Sequence, residues 1–302
     1  MNGIIVVDKP KSFTSFDVIA VLRKALNQRK IGHMGTLDPM ATGVLPILLG
    51  DSAKFQIYSN NHDKTYVADL KFGITTDTLD ITGNILSETK SSVNREELQK
   101  VLKTFIGEIF QVPPMFSAIK INGQKLCNLA RKGVEIEREK RKITIYSIKL
   151  IDFNEKNQTA KIEVECSKGT YIRTLCDDIG KKLSVGAVLT DLKRTKSNGF
   201  DISESISLDD IKFICERNGE KNFIFPTDML FKDMSSVNVS ERQANRLYNG
   251  ASLDISRVRF NKKFIDQEIL KVYMNNIFVG LVKVIEEKNE LRALKCEHNF
   301  DF

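Results

Sequence analysis

Apolar and polar positions along the chain change period several times, and each change marks an element. Ile4 to Val7 is an unbroken, β-branched apolar run, which predicts a buried central strand. Thr14 and Asp17 are helix-start residues, and Val18, Leu22, Ala25 and Leu26 follow at helical spacing. Between Lys64 and Ile74 the period is two. Tyr66, Ala68, Leu70 and Phe72 alternate with Val67, Asp69 and Lys71, the pattern of a strand with one wet face. Leu98, Val101, Leu102 and Phe105 predict a helix opened by Asn94 and closed at Gly107, and Leu126, Leu129 and Ala130 a short one closed at Gly133. Strands are expected near 143–152 and 159–166, the second with Ala160, Ile162, Val164 and Cys166 on one face. A helix after Gly169 turns Ile172, Leu175, Cys176, Ile179 and Leu183 inward, and another runs from Ser207 to Asn218-Gly219.

After PTDML at 226–230 the character changes. A short helix in SERQANRLYNG is followed by apolar, strand-like runs, with Asn275-Asn276 as a hairpin turn. Strands and helices mix without strict βαβ alternation. The expected class is therefore α+β: a mixed, mostly antiparallel central sheet flanked by helices over residues 1–236, with a small β-rich domain over 237–302. There are no internal repeats.

Composition narrows the function classes. The chain of 302 residues is long enough for a sizeable core, and 41% hydrophobic with 28% charged residues is ordinary for a soluble globular protein. No apolar run reaches membrane length and no signal peptide is evident. The five cysteines are scattered without a CxxC pair, which points to a reduced, cytoplasmic compartment. His33, His62 and His298 lack metal-ligand spacing, and Cys296 with His298 is too little for a zinc site, so no metal is expected. The placement of charge says more than the net +7. Residues 120–142 hold eight basic and three acidic side chains, and 181–196 hold five and one, so these two segments carry more than the whole excess. Such localisation fits either a polyanion-binding surface or a solvated basic face.

Four residues stand out chemically. In GHMGTLDPMATGVLP, Asp38 is the one formal charge between Ile31 and Gly50. Asp before Pro is a common helix opening, with Asp as N-cap. The same dipeptide, extended by Pro39 and surrounded by glycines, equally suits a carboxylate presented to a bulky partner. Arg173 lies in the first helical turn of GTYIRTL, about 100° off the apolar stripe, where the macrodipole disfavours a cation. An anionic partner would explain it, as would simple solvation. Tyr66 opens its strand on the inward face, as a core ring or one reaching a cleft, and His33 fits a local hydrogen-bonding role.

GHMGTLDPMATGVLP, KTYVADLKFGITTDTLDITG, VPPMFSAIKINGQKL, SKGTYIRTL and LKRTKSNGF occur in this order. With them the chain closely resembles the bacterial TruB family, the tRNA pseudouridine synthases that modify uridine 55 in the T loop. The resemblance runs from Gly3 to about Phe200 and more loosely beyond; it departs at Lys193, where an arginine is usual. It implies a pseudouridine synthase fold with a C-terminal PUA-like RNA-binding domain that touches the acceptor side of tRNA. It implies base flipping and a covalent adduct on Asp38, with Arg173 as its partner and Tyr66 packing on the base while its hydroxyl assists a proton transfer. Asp80 and Tyr171 would line the pocket, Leu192 would wall it, and His33 would fill the space left by the flipped base. Lys120, Arg131, Lys132, Lys193 and Arg194 would meet T-arm phosphates. No cofactor, metal or protein partner is implied, and without the lysine-rich extensions of guide-RNA-dependent relatives a stand-alone monomer is expected. Two other readings remain: a tRNA-folding chaperone using the same surface, and a metal-dependent nuclease, for which the motifs supply only scattered carboxylates.

Overall fold

The structure is a computed structural model and describes residues 1–59, 62–121, 123–219, 221–260 and 262–296. Strand β1 (Gly3–Lys9) is buried along nearly its whole length and leads to helix α1 (Ser15–Ala25). Thr14 and Asp17 close a reciprocal capping box there, which satisfies two of the free N–H groups at the helix start. Next come β2 (Ile31–His33), β3 (Thr42–Leu49), a 3₁₀ turn over Gly50–Tyr58 and β4 (Lys64–Phe72). Helix α2 (Arg95–Lys103), capped by Asn94, is followed by β5 (Gly107–Gln111), the short α3 (Leu126–Ala130), and the long hairpin of β6 (Arg141–Asn154) and β7 (Thr159–Cys166). Helix α4 (Ile172–Lys182), strand β8 (Ala187–Ser197) and helix α5 (Leu208–Glu216) complete the body.

The main sheet runs β1-β3-β8-β4-β7-β6-β5, and Ile206–Ser207 adds parallel to the outer edge of β1. Among the strand pairings of the described residues, only that pair and β3–β8 are parallel, so the sheet is mixed and mostly antiparallel. On β4, Tyr66, Ala68, Leu70 and Phe72 are buried and pack with α1, α2 and α4 residues in one core. Strand β1 is interior but not central: it lies one strand from the edge, because Ile206–Ser207 and Ile224–Phe225 return to cover it. The strands at the middle are β3, β8 and β4. Where β3 meets β8, Thr42 and Gly43 stand opposite Lys193 and Arg194. Gly43 has φ +99°, and a Cβ there would lie 2.2 Å from the Arg194 carbonyl oxygen, so only glycine allows this approach.

A second sheet contains Ser236–Asn238, β9 (Ile269–Met274), β10 (Ile277–Ile285), β11 (Glu290–Cys296) and Leu253–Asp254, with helix α6 (Glu241–Tyr248) packed on it. Asn275 and Asn276 have φ 49° and 64°, the positive values that a two-residue hairpin of this twist requires. This sheet has its own core, including Leu247, Leu270, Val272, Val282 and Leu291. Phe278 and Leu281 instead join Ile4, Val6, Leu48, Phe55 and Phe231 in a third cluster, which fastens the small sheet to the main one. Phe278 sits 5.6 Å from the Phe55 ring and 6.3 Å from that of Phe231.

Phe278→Ala should cost roughly 3–5 kcal/mol, as large-to-small core changes do. Chemical unfolding followed by circular dichroism checks this, and a cost below about 1 kcal/mol would mean that the two sheets are held by something else.

Candidate active site

The loops between strands bring several polar side chains to one end of the main sheet. No helix follows Pro39. The chain turns, with the Ala41 N–H donating to the Asp38 carbonyl at 3.1 Å, and enters β3 directly. The helix-cap reading of Asp38 therefore fails, and its carboxylate meets Arg173 instead. Arg173 Nε lies 2.9 Å from Asp38 Oδ2, and Nη2 lies 3.2 Å from Oδ1, so the guanidinium holds the carboxylate through two parallel contacts. Arg173 is only 5% exposed. Its Nη1 donates to the Thr78 carbonyl at 3.1 Å and stands 3.6 Å from Asp80 Oδ2, and Nη2 also donates to the Phe116 carbonyl at 2.8 Å. Asp80 is fixed in turn by the Thr78 hydroxyl and by the Thr82 N–H and hydroxyl.

These groups surround a cavity of about 330 Å³. Gly35 to Asp38 form one wall, Lys168 to Arg173 another, and Tyr66, Lys64, Leu192, Ser117 and Ala118 complete it. The Asp38 side chain is 36% exposed, so its carboxylate opens on the cavity while protein surrounds it at longer range. Burial raises its pKa above the ordinary carboxylate value, and Arg173 is the strongest opposing influence. Tyr66, buried at 6% exposure, has its phenol pKa raised by burial, while the adjacent Arg194 guanidinium favours the ionised form. The Tyr171 hydroxyl is likewise pushed up by burial.

Of the seven expected pocket residues, Asp38, Tyr66, Tyr171, Arg173 and Leu192 line the cavity together. Asp80 stands behind Arg173 and reaches it from the loop that pairs with β8 at Leu189. His33 lies on β2 outside the lining, its Nδ1 buried without a hydrogen-bond partner and its pKa lowered by burial and then by Arg194. Among the expected phosphate-binding residues, Arg131, Lys132 and Lys193 are exposed, while the Lys120 side chain lies outside those described. Arg194 requires a correction. It is fully buried, with its guanidinium donating to the carbonyls of Val44, Thr36 and Gly35, and is spent on the Asp38-bearing loop and Tyr66 rather than on solvent-side phosphates. The charge count that singled it out could not see that alternate residues of β8 face inward.

Sequence reasoning also passed over Lys9, Lys64 and Ser117. Lys9 is buried at the end of β1, donates to the carbonyls of Pro10 and Phe13, and is lowered to about 8, chiefly by burial. It stands 3.4 Å from the Pro39 carbonyl, so it steadies the turn after Asp38. A lysine ending an apolar run was the available signal. Ser117 contributes a buried hydroxyl without a well-aligned partner, beside the Tyr171 hydroxyl. Among the described residues, no three His, Cys, Asp or Glu side chains are grouped to hold a metal ion, and no helix is long and apolar enough to cross a membrane. His298, from the Cys296–His298 pair, lies outside the described residues.

Comparison with known proteins adds three findings. Residues 23–172 match the TruB family pseudouridylate synthase N-terminal domain, and 173–232 match the tRNA pseudouridylate synthase B C-terminal domain. The chain is 45% identical over 288 residues to a tRNA pseudouridine synthase B of Clostridium tetani, covering 95% of this chain and 97% of that one. It is 38% identical over 303 residues to a tRNA pseudouridine synthase B of Clostridioides difficile, covering 99% and 100%. A solved chain of a Cbf5-Nop10-Gar1 complex superposes with a TM-score of 0.72 at 26% identity, covering 98% of this chain and 84% of that chain.

The Arg173 guanidinium is what opposes burial at Asp38. In Arg173→Gln the Asp38 carboxyl should titrate at a higher pH than in the native protein, as followed by the ¹³C shift of its carboxyl carbon. An unchanged or lower midpoint would mean that the contact has no electrostatic weight.

Proposed function

The chain belongs to the TruB family of pseudouridylate synthases, and on that premise we propose that it isomerises uridine 55 in the T loop of tRNAs. It is an enzyme that forms pseudouridine in tRNA, as its curated relatives are named. The observation that carries the finer reading is the Asp38 carboxylate, forked by Arg173 and open on a cavity at the small end of ligand pockets, roughly 300–1,000 Å³.

The reaction breaks the bond between uracil N1 and ribose C1′ and makes one between C5 and C1′. N1 is left to take a proton and C5 gives one up, so nothing is consumed. A target base inside a stem-loop is out of reach until it is flipped, at a cost of a few kcal/mol. In the flipped state Tyr66 and Leu192 offer apolar surface to the ring, and Tyr171 and Ser117 a polar edge. The Asp38 carboxylate, kept ionised by Arg173 against burial, forms the transient covalent bond to the nucleotide, at the sugar or at the base. The Tyr66 phenol is neutral at rest because burial raises it. Arg194 beside its hydroxyl stabilises the phenolate when a proton is relayed from C5. His33, at the flank of the cavity loop, takes the stacking position that the flipped base leaves. Residues 1–236 act as the catalytic domain, and 237–302 as a PUA-like RNA-binding domain facing the acceptor side. The exposed Arg131, Lys132 and Lys193 meet T-arm phosphates. The protein works as a cytoplasmic monomer without a protein partner.

The test is nucleoside mapping of a T stem-loop RNA incubated with the purified chain: pseudouridine is expected at the uridine 55 equivalent and at no other position. Binding without any product would favour the chaperone reading. Tyr66→Phe should leave RNA affinity near native while turnover falls by roughly 10²–10⁴-fold, because stacking needs the ring and proton relay needs the hydroxyl. Equal losses of binding and rate would mark Tyr66 as structural. Deleting residues 237–302 should weaken binding of full-length tRNA more than of the stem-loop, as compared by filter binding. Equal weakening would show that the small sheet is needed at the active site or for folding.

A further inference from the structure

We propose that Lys64, with Lys168 beside it at the cavity rim, is a binding site for the RNA phosphodiester next to the reacting uridine. The inference rests on the reading of this cavity as a nucleotide pocket. Lys64 opens β4 and lines the cavity two residues before Tyr66. Its Nζ donates to the His62 carbonyl at 2.6 Å. An ammonium has three donors, and among the described residues no carboxylate lies within ion-pair distance of this one. Two cations bear on it, Arg194, whose guanidinium donates to three carbonyls, and Lys168, while Cys166 and Asp63 act in the opposite sense. Asp63 accepts from the Tyr146 hydroxyl at 3.1 Å.

A Cβ at Gly35 would stand 3.5 Å from Lys64 Cε and from Arg194 Nη1, so both cations lie alongside the Asp38 loop. Burial, and then Arg194, lower the Lys64 ammonium to about 8. A half-buried ammonium beside Arg194 and Lys168 costs stability that a ligand anion would offset. A nucleotide drawn into a cavity this small keeps its backbone at the rim, where its flanking phosphate carries that charge.

The test uses T stem-loop RNAs with a single neutral methylphosphonate on the 5′ or the 3′ side of the target uridine, and compares native protein with Lys64→Gln. One of the two linkages should weaken native binding roughly ten- to hundredfold, the scale of one charge-assisted hydrogen bond. Lys64→Gln should lose about the same with unmodified RNA and then be indifferent to that linkage. Lys64→Met, which keeps the stem, should behave alike and replaces the glutamine variant if the latter's circular dichroism shows misfolding. An equal penalty in native and variant, or none in the native protein at either linkage, overturns the phosphate site. Pseudouridine in unmodified RNA is read from the same native samples. Its absence faults the functional reading, whereas normal turnover with an uncoupled cycle faults this inference alone.

Discussion

The fork between Arg173 and Asp38 is the contact on which the rest of this end of the molecule depends. A carboxylate that protein surrounds is driven towards its neutral form, and a neutral carboxyl is no nucleophile. Arg173 reverses part of that drive, and its remaining donors fix it to Thr78, Asp80 and Phe116. A single side chain thus joins four stretches of sequence: the Asp38 turn, the Asp80 loop, the Phe116 loop and α4. Its place in the first turn of α4, against the helix dipole, is unfavourable by itself. Two carboxylates and two carbonyls around one guanidinium make that place stable.

The sheet supplies the distance control. Gly43 lets β3 close on β8 at Arg194, and Arg194 then binds the carbonyls of Gly35 and Thr36, three and two residues before Asp38. Lys9 reaches the same turn from β1. Two buried cations from different strands therefore hold the backbone on either side of Asp38. Lys9 also adds positive potential near the carboxylate and favours its ionised form without taking its oxygens. The oxygens stay with Arg173 and the cavity.

Much of this was legible in the sequence. The alternation of Tyr66, Ala68, Leu70 and Phe72 specified β4 and its inward face, and Thr14 with Asp17 specified the start of α1. The position of Arg173 on its helix left an anionic partner and simple solvation both open, and the contact with Asp38 decides for the anion. Of the three middle strands, β3 and β8 were not legible. Pro46 within β3 argues against a sheet interior, and β8 reads as a basic segment because Lys193, Arg194 and Lys196 mask its period of two. Arg194 was misjudged for the same reason: which face of a strand is buried is decided by neighbours far away in the chain. The loop bearing Asp80, and the carbonyls of Thr78 and Phe116, could not be tied to Arg173 by any local pattern.

If the Asp38 carboxylate acts chemically its charge is required, whereas holding Arg173 in place needs only its shape and an acceptor. Asp38→Asn separates the two, because the amide keeps the shape and one acceptor for Arg173 but loses the charge. The measurement is single-turnover release of tritium from C5 of the target uridine, with saturating enzyme, beside the RNA affinity of the same variant. The account predicts near-native affinity with no release above background. Substantial release from Asp38→Asn would contradict it and leave Asp38 a structural partner of Arg173.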